Sequence, residues 1–197
     1  MIVFFFITLG PVKVIPAFLH ATARADPNLR RAIAWRAFVI STVTVLAIAL
    51  FGGQLISRWG ISDRAIAITG AVILFIWSLH ALLEQINPNA HREPPEEPTL
   101  ELAAIPLTIP AIITPAGVTA ILFFTMAAPP GDHRLMAILA GLLIAIMILD
   151  LMSMLGARAM LKAMGGPVTL KVAGGVLAVL QATLAIEVLI RNIQKLT

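Results

Sequence analysis

The sequence predicts an all-α polytopic membrane protein of six transmembrane helices, arranged as two inverted three-helix repeats with the first and fourth helices broken at proline or glycine. Three observations carry this. The 197 residues are 59% hydrophobic and 12% charged, with a mean hydropathy of +0.97, whereas a soluble domain is about half apolar and about a quarter charged. The apolar residues fall into six runs, each near the ~20 residues that cross a hydrocarbon core, and none alternates like a barrel strand. Proline and glycine recur in the two halves at one offset. Irregular backbone and open sheet edges are not tolerated against lipid, so these runs call for a helical bundle.

The first run, Met1 to about Ala23, has no basic stretch ahead of it and no small-residue cleavage site, so it is expected to remain as a span. Gly10-Pro11 and Pro16 interrupt it, because proline removes a helix hydrogen bond and clashes with the preceding turn. The second run covers about Ala32 to Ile56 and the third Ala65 to Leu83, closing a first repeat over residues 1–83. Residues 84–101 contain Asn-Pro, Pro-Pro and Glu-Glu-Pro and read as an acidic, proline-rich, solvated linker. The fourth run, Leu102 to Met126, is interrupted by Pro106, Pro110 and Pro115 with Gly117. The fifth, Leu135 to Leu155, and the sixth, Val172 to Ile190, complete a second repeat over residues 102–197 in a single membrane domain.

Pro115 follows Pro11 by 104 positions, and the same shift sets Gly70 on Gly174, Val14 on Val118, Arg30 on Arg134 and Gly52 on Gly156. One ungapped offset thus links features in all three spans of each half. With an odd number of spans per half, the second copy enters the membrane from the opposite side. Such inverted repeats build secondary transporters, in which the interrupted helices of the two halves form the solute site near the midplane. Freed amides and carbonyls at the breaks need partners, which a polar solute can supply.

Connections on the linker's side carry Arg24, Arg30, Arg31, Arg36, Arg92, Arg158, Lys162 and Lys171, against Arg58, Arg64, Arg134, Arg191 and Lys195 on the other, eight to five. The positive-inside rule then puts the linker in the cytoplasm and both termini outside it. The net charge of +4 reads as topology signal rather than as a nucleic-acid footprint. Without cysteine there is no disulfide, thiolate metal site, iron-sulfur cluster or cysteine nucleophile. No phosphate-binding loop appears, so direct ATP drive within this chain is not expected.

At this point the chain resembles the MarC family of membrane proteins, which includes SnatA-type exporters of small neutral amino acids. The resemblance covers nearly the whole chain. It rests on Gly10-Pro11-Val12-Lys13-Val14-Ile15-Pro16-Ala17-Phe18, Thr22, Arg30-Arg31, Trp59-Gly60-Ile61-Ser62, Ile68 to Phe75, Ala104 to Pro110, and Thr114-Pro115-Ala116-Gly117. Family members usually place Asn or Asp before the first motif proline and Gly two residues after it, where this chain has Gly10 and Lys13. They usually read Gly-Pro-Gly where this chain has Thr114-Pro115-Ala116. The resemblance implies export of small neutral amino acids or similar polar solutes. The implied binding set is Gly10, Pro11, Lys13 and Pro16 from the first broken helix with Thr114, Pro115, Ala116 and Gly117 from the fourth.

Lys13 lies about midway along its span, where a charge costs roughly 2.5–3.5 kcal/mol on insertion scales, so it needs a partner. That partner is a solute carboxylate or another anion, Asp150 of the fifth span, which could instead carry a coupling proton, or water in a cavity that the long side chain reaches. Glu187 is explained by a helix pair with Arg191. His20 and His80 lack companions at metal-ligand spacing, so neither metal nor cofactor is expected. Thr8, Thr108 and Thr119 are expected to bond their own preceding carbonyls, and Thr114, at the break, stands apart. Gly174, Ala178 and Ala182 give the sixth span a face for close helix approach. Expected partners are membrane lipid and a small solute, with no nucleic acid, and a homo-oligomer is compatible with this pattern. The alternative to transport is a non-transporting scaffold or regulator; an intramembrane enzyme would need a linked nucleophile and base, which no motif supplies.

Overall fold

The computed structural model describes residues 2–86, 98–126, 132–163 and 166–194. The first apolar run is two helices. α1 (Ile2–Leu9) stops at Gly10, which is extended with φ −79° and ψ 171°, and α2 (Pro11–Ala21) restarts on a proline. Proline suits that first helical position because its φ is already helical and no N–H is needed there. A Cβ on Gly10 would fall 2.0 Å from the Phe6 carbonyl oxygen, so the turn requires glycine. Pro16, expected to disrupt the segment, does not: it sits inside an unbroken α2 with its ring exposed, at the cost of the backbone bond that its N–H would have given the Val12 carbonyl.

Asp26 caps α3 (Pro27–Ala47) by accepting from Leu29 N at 2.7 Å, again with proline at the first helical position. A wider turn at Ile48–Gly52 carries α3 directly into α4 (Gly53–Arg58), making one helix of 32 residues. It starts five residues before the expected Ala32, since the cap recruits a polar first turn that hydrophobicity does not mark. After Gly60, at φ 68°, α5 runs Asp63–Ile86. Most of the expected linker, residues 87–97 with Arg92, lies outside the described residues.

The second half opens with an irregular helical arm, Leu100–Ile112, in which Ile105 (φ −131°, ψ 124°) and Ile109 (φ −125°, ψ 122°) are extended and precede the cis prolines Pro106 and Pro110. α6 (Pro115–Met126) follows at a 63° bend. Asp132 caps α7 (His133–Leu155) through Leu135 N at 3.0 Å, and α8 (Ala157–Ala163) and α9 (Pro167–Ile193) complete the described chain.

Among the described residues, four single helices, Pro27–Arg58, Asp63–Leu83, His133–Leu155 and Val172–Ile193, are long and apolar enough to cross a membrane, and the bent pair of arm and α6 makes a fifth crossing if counted as one span. Of eight and 11 residues, α1 and α2 are each too short to span alone. The periphery is apolar: Val43, Phe51, Ile76, Met152, Val172 and Val176 are among the exposed side chains. No strand occurs among the described residues, and the protein is a multi-pass helical membrane protein.

The main core is built by α1, α2, α3, the arm, α6 and α7 around Phe5, Leu9, Phe18, Ile33, Leu107, Ile112, Ile121, Leu143 and Met147. α5 and α9 stand beside it, pairing extensively with each other and touching the rest chiefly through α6. In lipid such contacts rest on close packing rather than on water exclusion. Accordingly Ala67, Ala71 and Leu74 of α5 are buried, as are Ala178, Gln181 and Ala185 of α9. The buried face of α9 is therefore rotated from the expected Gly174, Ala178 and Ala182 line, of which only Ala178 is fully buried.

Candidate functional site

The two chain breaks meet. α1 ends at Leu9 and α2 begins at Pro11; the arm ends at Ile112 and α6 begins at Pro115, so both restarts are prolines separated by the 104-residue offset. Thr114 joins them. Its hydroxyl donates to the Thr8 carbonyl at 3.0 Å and accepts from Gly117 N at 3.0 Å. One oxygen thereby satisfies a carbonyl at the end of α1 and an amide in the first turn of α6, groups that helix ends otherwise leave open. Gly117 completes the junction: a Cβ there would lie 2.3 Å from Leu9 Cδ2, so this approach of α1 and α6 depends on glycine.

The expected site residues divide accordingly. Gly10, Thr114, Ala116 and Gly117 are buried at the junction, and Pro11 and Pro115 are half-buried beside it. Pro16 faces outward on α2. Thr119 donates to the carbonyls of Pro115 (2.9 Å) and Ala116 (3.0 Å), and Thr108 to that of Ala103 (2.7 Å), as membrane threonines do. Thr8 contributes its carbonyl as well as its hydroxyl, the latter reaching Phe5 O at 3.5 Å.

Lys13 sits in the first turn of α2, whose N-cap Gly10 has no side chain to offer the free amides there. Lys13 Nζ is shut from solvent without a hydrogen-bond partner among the described residues, and so are both carboxylate oxygens of Asp150 on α7. No ion pair joins the two, although α2 and α7 pack together. Glu187 and Arg191 do pair, exposed on α9. Among the described residues no three His, Asp or Glu side chains converge as metal ligands would.

Sequence reasoning missed Ser41. It is fully buried on α3, donates to Ala37 O at 2.7 Å and reaches Thr108 Oγ1 at 3.4 Å, tying the arm to α3. The spacing of Ala34, Ala37 and Ser41, small residues on one helical face, was the available signal. Buried Ser78 and Gln181, on the paired helices α5 and α9, carried no comparable pattern.

The model of the MarC family of integral membrane proteins matches residues 1–197. A UPF0056 membrane protein of Pyrococcus abyssi is 32% identical over 127 residues, 64% of this chain and 62% of that protein, so the match spans less than two thirds of the relative's length. One of Methanocaldococcus jannaschii is 28% identical over 172 residues, 81% of this chain and 84% of that one. The UPF0056 inner membrane protein YhgN of Escherichia coli is 25% identical over 108 residues, 54% of this chain and 53% of that one. No solved structure matches.

Proposed function

Because the chain belongs to the MarC family of integral membrane proteins, we propose that it is a secondary transporter of the SnatA type, exporting small neutral amino acids or similar small polar solutes by alternating access between two inverted three-helix repeats. The observation that carries this is the meeting of two broken segments, in corresponding positions of the two halves, at Thr114 and Thr8. Other contacts support the repeat. α1 packs on α6 as the arm packs on α2, α1 packs on α7 as the arm packs on α3, and α3 with α7 and α5 with α9 pair across the halves. Discontinuous helices that converge in this way offer partial positive charge at their N-termini to a carboxylate and free carbonyls to an ammonium. The cytoplasmic linker and external termini belong to the same proposal, resting on the distribution of arginine and lysine.

The purified protein in liposomes tests it. Labelled glycine, L-alanine and L-serine should accumulate against preloaded unlabelled amino acid and not in protein-free vesicles. Flux no greater than in protein-free vesicles for all three would favour the non-transporting scaffold instead.

A further inference from the structure

The third helices of the two halves are seated unequally. The 104-residue offset that sets Pro11 on Pro115 also sets Asp63, where α5 begins, on Pro167, where α9 begins, so it matches α2 with α6 and α5 with α9. In one half α5 lies along α6: a Cβ on Gly70 would fall 2.8 Å from Thr119 Cβ, and Ala71 and Ala120 are both 4% exposed. In the other, α9 meets α2 over a short stretch only. The residues at the matching positions, Gly175 and Pro16, are half-buried and exposed.

The second segments α2 and α6 point to opposite ends of the bundle. Arg30, near the start of α3, donates to the Thr22 carbonyl at the end of α2 (3.2 Å). Gly52 and Gly53, on the same long helix, pack on Leu122 and Thr125 near the end of α6. Arg30 and Gly52 are 22 residues apart, roughly 33 Å at ~1.5 Å per residue. α5 therefore covers α6 at one end, while α2 is left uncovered by α9 at the other, the end where α5 finishes and the linker begins.

The paired helices α5 and α9 are built to change sides. They pack extensively on each other and meet the rest of the bundle chiefly through α6, with Leu74, Ala116 and Ala185 forming a small cluster beside the junction. The main core, by contrast, draws α1, α2, α3, the arm, α6 and α7 into one body. Packed helix contacts switch between discrete arrangements rather than deform continuously, and inverted repeats move by rocking one bundle against another around a fixed site. A seat that α6 offers at one end is matched by the seat that α2 offers at the other, so leaving the first and taking the second is close to balanced.

We propose that α5 and α9 rock as one body between two seats, pivoting at Leu74, Ala116 and Ala185. Here α5 is seated on α6. In the second state α9 brings Gly174 and Gly175 onto the Pro16 face of α2 and closes the end where the linker begins. This rests on the transport reading and deepens it by naming the moving part and the face on which it lands.

The test uses the full cysteine-free chain in liposomes, carrying introduced cysteine pairs. Gly70→Cys/Thr119→Cys reports the seat seen here, and Pro16→Cys/Gly174→Cys the second one. A short, reducible bis-methanethiosulfonate should bridge each pair within one molecule, and in the four-cysteine variant closing the first bridge should lower capture of the second at least tenfold. Either bridge should lower labelled L-alanine flux at least tenfold, with recovery on reduction. Should Gly70→Cys fail to fold, Pro16→Cys/Gly174→Cys decides alone, by whether its bridge forms and whether that bridge stops flux. No bridge between the Pro16→Cys and Gly174→Cys thiols, both bridges in one molecule, or flux within twofold of the unbridged variant with either bridge closed would overturn the two-seat movement and leave the transport reading standing. Mutually exclusive bridges in a protein whose wild type moves neither L-alanine, glycine nor L-serine would overturn transport and uphold the movement.

Discussion

Replacing Thr114 by valine changes one oxygen for a methyl group and nearly conserves volume, so its effect isolates the hydroxyl. That hydroxyl caps α6 through Gly117 N and satisfies the Thr8 carbonyl, each at 3.0 Å, at a side chain only 1% exposed. Loss of a helix cap costs about 0.5–2 kcal/mol. Stranding a buried acceptor costs about 1–3 kcal/mol more. Thr114→Val should therefore destabilise the bundle by about 1.5–5 kcal/mol, whereas Thr114→Ser, which keeps the oxygen and loses a methyl, should cost no more than about 1 kcal/mol. Equilibrium unfolding in mixed micelles at increasing fractions of anionic detergent measures both. Equal stability of the two variants would refute the joining role of Thr114, and a more stable valine variant would show that the hydroxyl is a liability there.

Gly117→Ala should lower stability by about 1–3 kcal/mol through overpacking against Leu9, and Leu9→Ala in that background should recover part of it; an unfolding midpoint equal to wild type would disprove the close approach. Glu187→Gln should shift stability by less than about 0.5 kcal/mol, because its pair with Arg191 is exposed; the same unfolding assay checks it. In this cysteine-free chain, Pro95→Cys should react with an impermeant thiol reagent only after the inner face is opened; ready labelling from outside intact cells would reverse the orientation.

The spans were legible because hydrophobicity marks what faces lipid, and four of the six expected runs appear as single long helices. The breaks at Pro11 and Pro115 were legible for a different reason: proline and glycine act locally, so their effect is written at their own positions. Pro16 shows the limit of that logic. A membrane helix tolerates an internal proline where local adjustment satisfies the freed carbonyl, which residue identity does not mark, and Pro16 stays within α2. The Thr114 link to Thr8 could not be read, since it spans 106 residues and one partner is a backbone carbonyl, which every residue possesses. Lys13 and Asp150 stood out as charges in apolar sequence, but that both polar groups are buried without a hydrogen-bond partner emerges only from the packed structure.

The pairing of α5 with α9 has a consequence for biogenesis. α5 ends at Ile86 and its principal partner ends at Ile193, 107 residues later. At the ~5–20 residues per second of synthesis, roughly 5–20 s separate the completion of the two helices. During that interval the part of α5 that α9 covers, which includes Leu74 clustered with Ala185, meets lipid or the insertion machinery instead. The first half therefore leaves the ribosome as an unfinished surface, and a nascent chain arrested before Pro167 should be a preferred target of membrane quality control.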